Sequence, residues 1–192
     1  MLSRMKTYPY LKVIVAACVG ALASCATQPQ TQKMQVSGSL RPDNSLAGQV
    51  FQEVNSYRRS HGASNLQRHA GLDQLAQKHC EYLRKNRGTF GVYGKNVSHM
   101  GFEGRALMAR EAYHMENISE NVAAANHPGT AAAPQIIKLW AASKDHEFNM
   151  RSAWTHSGVG VVVDSDGTVF ATQLFATVTS SQMTSRERFN HF

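Results

Sequence analysis

The chain has 192 residues, enough for one domain with short accessory segments, and its hydrophobic fraction of 42% is typical of a protein with a buried core. This composition excludes a collagen-like or wholly disordered chain. The formal net charge is +7, but the Lys and Arg residues do not gather into a stripe, so the sequence predicts no nucleic-acid partner.

The first 24 residues have the pattern of a signal peptide. The basic segment MLSRMKTYPYLK precedes an apolar run, VIVAACVGALA, that is too short to span a bilayer comfortably. The following LASC resembles the cleavage box of bacterial lipoproteins, which implies that residues 1–24 are removed and that the lipidated Cys25 anchors the chain to a membrane. The alternative is an ordinary export signal with an incidental cysteine. Ala26 lacks the aspartate that often retains lipoproteins at the inner membrane, so the outer membrane is expected where the cell has one.

Cysteine usage predicts a domain without disulfides. Cys18 leaves with the signal peptide and Cys25 would carry lipid, so only Cys80 remains. A single cysteine cannot form an internal disulfide, and the core alone must therefore hold the fold. Cys80 lies on the apolar side of a predicted helix, which favours a buried hydrophobic role over a reactive nucleophile.

Two helices are predicted after a polar linker. Residues 25–44 comprise the lipidated cysteine and a segment rich in Gln, Ser, Thr and Pro, which is typical of a flexible tether. From Ser45 apolar residues recur at helical spacing, and Gly62 ends this first helix. A second amphipathic helix is predicted from about Leu72 to Arg87.

The later pattern changes from loop and helix to β-structure. The glycine-punctuated TFGVYGKNVSHMGFEGR is expected to be largely loop, followed by a short helix over Arg105–His114. Pro134 opens a further helix through QIIKLWAAS. Two apolar runs joined at Asp164–Gly167 predict a β-hairpin, and residues 178–192 form a polar tail. The chain therefore has its predicted helices first and a compact antiparallel sheet near its end, and this order predicts an α+β fold.

The nine histidines and the stretch ENISENV are the candidates for chemistry. No histidines have the spacing of a zincin helix or zinc finger, and no nucleophile elbow, phosphate loop or dinucleotide fingerprint occurs. Glu116 and Glu120 stand four residues apart, so both carboxylates would share one side if this stretch were helical. Spacing alone assigns no role to any of these residues.

Four motifs in order resemble the CAP superfamily, which includes cysteine-rich secretory proteins, antigen 5 and plant pathogenesis-related proteins. They are SHMGF, SENVAA, LWAASKDHEFNM and WTHSGVGVVVDSDGTVFATQLF. The chain is similar to the cysteine-poor bacterial branch, over a domain of residues 45–177. The resemblance implies a CAP-type αβα sandwich, with helices on both faces of a small antiparallel sheet. It also implies a cleft where histidines and acidic residues converge, in which some members bind a divalent cation.

The resemblance assigns four candidate site residues. His99 and Glu120 match the histidine and the glutamate of the first two motifs, and Glu116 lacks the continuation that Glu120 has. His146 and His156 match the histidines of the last two. The resemblance makes His99, Glu120 and His146 the catalytic candidates, and these three with His156 the candidate ligands of a divalent metal such as zinc.

Three positions depart from the family pattern. Asp145 and Glu147 replace the usual Gly and Arg around His146, and Ser143 stands where eukaryotic members often have a second glutamate. Five further histidines are expected to be surface or helix-face residues, and the two tryptophans are expected to pack in the core or at its rim: His61, His69, His79, His114, His127, Trp140 and Trp154.

Three functions fit these features. The first is a lipid-anchored envelope protein that binds a lipid, a glycan or an envelope protein. The second is a metal-assisted hydrolase of peptides or envelope polymers, since two or three imidazoles and a carboxylate can hold Zn²⁺ with an open position for water. The third is a structural protein whose polar cleft has no activity of its own.

Overall fold

The computed structural model describes residues 45–89 and 97–178. The signal peptide, Cys25, the tether and residues 179–192 lie outside these ranges, so the predictions made for them stay predictions. None of the helices in these two ranges contains an apolar stretch of the length needed to span a bilayer. The elements are, in chain order, α1 (Leu46–Ser60), β1 (Gln67–Arg68), α2 (Ala70–Lys85), α3 (Phe102–Tyr113), β2 (Met115–Ala125), α4 (Ala132–Ala141), α5 (Lys144–Arg151), β3 (His156–Val163) and β4 (Val169–Val178).

The first two helices begin at side-chain caps. At the start of α1, Ser45 Oγ accepts a hydrogen bond from the Gly48 N–H at 3.0 Å. At α2, His69 Nδ1 accepts from the Leu72 N–H at 3.3 Å. Histidine is not among the usual capping residues, so the sequence pattern did not mark this start. α2 therefore begins two residues before the predicted Leu72. Both helix predictions are confirmed apart from these ends.

The four strands form one sheet in the order β1-β3-β4-β2. β3 and β4 form the predicted hairpin, in which the Asp164 N–H donates to the Thr168 carbonyl at 2.8 Å and Gly167 adopts a φ of 82°. β2 pairs antiparallel with the other side of β4, with Glu120 opposite Leu174. The sheet is antiparallel except for β1, which pairs parallel with β3 over two residues.

Helices cover both faces of this sheet. α2 and α3 pack on one face, where Leu72 contacts the cluster that includes Leu174. α1, α4 and α5 pack on the other face around the fully buried Trp140 and Phe175. α2 lies so close to β3 that a Cβ at Gly158 would be 2.2 Å from a backbone atom of α2. This arrangement confirms the predicted αβα sandwich.

The sequence pattern did not reveal β2 or α5. β2 contains ENISENV, so Glu116 and Glu120 lie on a strand and not one helical turn apart. Few β-branched residues occur in this stretch, and pairing with β4 sets its conformation. An irregular register between Met115 and Ile118 precedes Glu120, which is buried, whereas Glu116 is exposed. α3 also begins at Phe102, three residues before the expected start.

Cys80 and the tryptophans lie where the sequence predicts. Cys80 is fully buried and free, and burial raises the pKa of its thiol to about 12. A thiol with such a pKa is not a nucleophile at neutral pH. Trp140 is in the core, and Trp154 is partly buried and stacks on Phe175 at 6.2 Å between ring centroids.

Candidate functional site

The candidate site lies at the outer edge of the sheet, on β2. Side chains alternate between the two faces of a strand, so Glu120 and Asn121 point to opposite sides of the sheet. Glu120 lies on the face covered by α2 and α3, and Asn121 lies on the face covered by α5. His99 approaches from the turn before α3 and His146 from α5, and their ring centroids are 5.9 Å apart. Three of the four predicted residues therefore meet at one strand edge.

Glu120 is held by two neighbours. Arg105 Nε donates to Oε2 at 2.6 Å and Arg105 Nη2 donates to Oε1 at 2.8 Å, a two-point contact. His99 Nδ1 lies 2.9 Å from the same Oε1. The Glu120 side chain is 1% exposed and that of Arg105 is 12% exposed. Both carboxylate oxygens are thus engaged in a pair that is almost closed to solvent.

These contacts keep Glu120 ionised. Burial alone would raise the pKa of Glu120, but hydrogen bonds from His99 and Arg105 and the charge of Arg105 outweigh burial and hold the pKa below its ordinary value of 4.5. A carboxylate with a lowered pKa is a poor proton acceptor at neutral pH. Glu120 therefore positions its neighbours and is not placed to act as a general base.

His99 is oriented by Glu120. An ionised carboxylate only accepts hydrogen bonds, so the Nδ1 of His99 carries the proton in this contact. Nε2 is left for other partners, and the His99 side chain is 52% exposed. A carboxylate behind a histidine in this way fixes both the tautomer and the ring orientation.

His146 is fixed from the other side of the strand. Asn121 Nδ2 donates to the His146 carbonyl at 2.9 Å, and Asn149 Nδ2 donates to Asn121 Oδ1 at 2.9 Å. These bonds tie α5 to the edge of β2. Burial, and then the charge of His99, lower the pKa of His146 below 6.5, with Asp145 opposing them. At neutral pH His146 is therefore a neutral imidazole with one donor and one acceptor nitrogen.

Two residues of this site were missed by the sequence analysis. Arg105 was assigned no role, because an arginine near the start of a helix carries no distinguishing signal. His79 was expected to be a surface or helix-face residue without a role in the site; it is buried on α2, and its Nε2 lies 2.7 Å from the Ser98 carbonyl. Burial lowers the pKa of His79, and Glu120 opposes this effect. His79 supports the turn that carries His99.

His156 does not join the other three residues. It lies on β3, two strands from β2, and adjacent strands are about 5 Å apart. Its ring is 6.2 Å from that of His69, and its Nδ1 lies 2.9 Å from Thr155 Oγ1. The structure therefore separates His156 from the candidate metal set.

The remaining donors do not form a three-ligand metal centre. No group of three or more His, Cys, Asp and Glu side chains able to hold a metal ion occurs within residues 45–89 and 97–178. Arg105 engages both Glu120 oxygens, which leaves the imidazoles of His99 and His146. Catalytic zinc sites use three protein ligands, so this donor set does not fit one.

The comparisons with known proteins agree with the fold. The model of the CAP (cysteine-rich secretory protein) family matches residues 51–175. The chain belongs to this family. No curated protein sequence matches the chain.

Two solved structures share the CAP fold of this chain. An outer surface protein of Borrelia burgdorferi aligns with a TM-score of 0.52 at 15% identity, over 68% of this chain and 90% of that protein. An extracellular, SCP-domain protein of Bacillus anthracis aligns with a TM-score of 0.51 at 24% identity, over 70% of this chain and 41% of that protein. At these identities the likeness extends to the fold alone.

Proposed function

We propose that this CAP domain is an exported, lipid-anchored protein of the bacterial envelope that binds a glycan through the His99–His146 pair. The observation that carries the proposal is the engagement of Glu120. Both of its oxygens are bonded and its side chain is 1% exposed, so the site offers no free carboxylate for catalysis. The two imidazoles are the groups left to contact a ligand.

The chemistry of the two imidazoles favours a ligand rich in hydroxyl groups. A neutral imidazole has one donor and one acceptor nitrogen, and a sugar hydroxyl both donates and accepts. The neighbours of the pair are polar, with Glu120, Arg105 and Asn121 in hydrogen-bonded contact with His99 or the His146 backbone. These polar groups match the hydroxyl groups of a sugar, so a glycan is the proposed ligand.

The envelope location rests on two further observations. LASC, which ends at Cys25, resembles the cleavage box of exported lipoproteins, and Ala26 lacks the aspartate that often retains lipoproteins at the inner membrane. The structural relatives are described as an outer surface protein and an extracellular protein. A lipid anchor followed by a tether of residues 26–44 would let the domain reach a polymer close to the membrane.

A second candidate is a hydrolase of an envelope polymer. The observation that favours it is the Glu120–His99 contact, because a carboxylate behind a histidine orients it for proton transfer. His99 would take a proton through Nε2, and neutral His146 stands 5.9 Å away between centroids. Because the donor set does not fit a three-ligand zinc centre, this candidate is a metal-free acid–base mechanism.

A co-sedimentation experiment separates these possibilities. The Cys25→Ser chain, which cannot be lipidated, is mixed with insoluble cell-wall glycan from which lipid and protein have been extracted, and in parallel with vesicles of envelope lipids. We expect sedimentation with the glycan and not with the vesicles. His99→Ala and His146→Ala should each weaken glycan binding by roughly tenfold, the effect of about 1.4 kcal/mol.

The control is His127→Asn, which removes an exposed histidine whose φ of 48° an asparagine tolerates. Its glycan binding should equal that of the parent chain. Binding to vesicles alone would contradict the glycan proposal. Equal glycan binding by all three histidine variants would contradict the assignment of the binding site to the His99–His146 pair. Release of soluble sugar that stops in His99→Ala would favour the hydrolase.

A further inference from the structure

Arg58 is a buried cation whose side chain is only partly bonded. It lies in the last turn of α1 and is 1% exposed. Its Nε donates to the Ser64 carbonyl at 2.7 Å, and its Nη1 donates to the Met150 and Ser152 carbonyls at 2.6 and 2.8 Å. Across residues 45–89 and 97–178, Nη2 has no hydrogen-bond partner.

No carboxylate neutralises Arg58 within the described part of the chain. Its three acceptors are carbonyls near the ends of α1 and α5, which solvate the cation with dipoles but bring no full negative charge. Glu147, which lines the same groove, makes no ion pair with Arg58; its Oε1 accepts from Arg151 Nη1 at 3.1 Å and from the Tyr57 hydroxyl at 3.2 Å. Burial lowers the pKa of Arg58, but an arginine remains charged in a protein.

A groove lies over Arg58, between the end of α1 and the segment that joins α5 to β3. Its volume is about 690 Å³, within the range of small-molecule sites. Phe148, which is 68% exposed, and the partly buried Trp154 give the groove an aromatic side. This groove is distinct from the His99–His146 pair, neither of which lines it.

We propose that this groove binds a small organic carboxylate that carries an aromatic or other apolar group. The carboxylate accepts from Nη2 of Arg58 and supplies the missing negative charge, and the apolar group packs against Phe148. A charge-assisted hydrogen bond to a guanidinium is stronger than a hydrogen bond between neutral groups. Because this guanidinium is nearly buried, water competes little for the bond. Two sources share this chemistry: a free aryl acid and the C-terminal residue of a peptide.

The test is an NMR titration of the purified full chain, followed through backbone amide signals. The probes are 3-phenylpropanoate, N-acetylphenylalanine and the uncharged N-acetylphenylalanine amide. We expect both acids to shift signals of residues 61–64 and 147–155 saturably, and the amide to bind at least tenfold more weakly. A stronger effect of N-acetylphenylalanine than of 3-phenylpropanoate identifies a peptide end as the source, and equal effects identify a free acid.

Arg58 also holds three carbonyls, so its replacement would disturb the fold, and Phe148→Ala is the informative variant. This exposed side chain can be removed without creating a cavity, and the substitution should weaken both acids by at least threefold. Arg59→Gln, which removes a neighbouring exposed charge on α1, is the matched control and should change nothing. Equal binding of acid and amide, the absence of saturable shifts at the groove, or equal losses in both variants would overturn the proposal.

Discussion

Arg105 spans the carboxylate of Glu120, with Nε 2.6 Å from Oε2 and Nη2 2.8 Å from Oε1. This contact changes the role of the glutamate that the family motif marks. The carboxylate is ionised, its charge is balanced by Arg105, and its side chain is closed to solvent. Its remaining contact orients His99. In the proposed function, the exposed imidazole of His99 and the imidazole of His146 beside it are the groups that contact the ligand.

The Glu120–Arg105 pair should matter for stability as well as for the site. Glu120→Gln removes the charge opposite Arg105, whose side chain is 12% exposed, and an uncompensated buried charge is costly. We expect a loss of about 3 kcal/mol in the free energy of unfolding, which corresponds to a fall in Tm of roughly 6–12 °C. Urea denaturation and calorimetry measure both quantities.

Glu116→Gln is the matched control for Glu120→Gln. Glu116 lies on the same strand but is exposed, so its replacement should change stability by less than about 0.5 kcal/mol. Equal effects of the two substitutions on stability and on ligand binding would show that the assignment of Glu120 to the site is wrong.

The pKa of His146 should depend on His99. Burial is the larger cause of its lowered pKa and the charge of His99 is the second, so His99→Ala should raise the pKa of His146 toward 6.5 without reaching it. Because the folded state favours neutral His146, ligand binding that uses this form should be full at neutral pH and decline as the pH falls through the pKa. NMR titration of the imidazole carbon signals measures the shift. An unchanged or lower pKa in His99→Ala would contradict the geometry of the pair.

Zinc should bind weakly and without His156. Two imidazoles remain once Arg105 engages Glu120, so protein exposed to Zn²⁺ and then desalted should retain well under one equivalent of metal bound at this site. His156→Ala should leave that amount unchanged, since His156 lies two strands away. Elemental analysis of both proteins is the measurement. One full equivalent of zinc that is lost in His99→Ala and in His156→Ala would restore the four-residue metal set.

The contact between α2 and β3 should tolerate no side chain at Gly158. A Cβ there would lie 2.2 Å from the backbone nitrogen of Asp73. Since the clash is with the backbone of α2, the helix or the strand would have to shift to relieve it. We expect Gly158→Ala to destabilise the protein by about 3 kcal/mol, measured by urea denaturation.

Gly104→Ala provides the opposite case for the same measurement. Gly104 lies within α3 with no atom near the position of an added Cβ, so alanine should stabilise the fold by about 0.5–1 kcal/mol through the helix. A Gly158→Ala protein as stable as the parent chain would contradict the close packing of α2 on β3.

The sequence predicted those elements whose conformation is determined by residues within or next to the element. α1 has a capping serine and a clear apolar period, and the β3–β4 hairpin has the turn residues Asp164–Gly167, so both are confirmed. β2 has neither feature. Its conformation is set by pairing with β4, which lies about fifty residues later in the chain. A stretch with two glutamates four residues apart is also compatible with a helix.

The site was only partly predictable for a related reason. The family motifs led to His99, Glu120 and His146, and these residues meet at the edge of β2. Arg105 and His79 are defined by what they face across the fold, and no local pattern marks such contacts. His156 follows a family motif as clearly as His146 does, yet the order of the strands separates it from the others.

The most direct test of the proposed function is the affinity of the Cys25→Ser chain for solubilised cell-wall glycan, compared with that of the same chain carrying His146→Ala. We predict saturable binding at neutral pH that His146→Ala weakens by roughly tenfold, a loss of about 1.4 kcal/mol, while the fold stays intact by circular dichroism. Binding of equal strength in the two proteins, or no binding by either, would contradict a glycan-binding role for the His99–His146 pair.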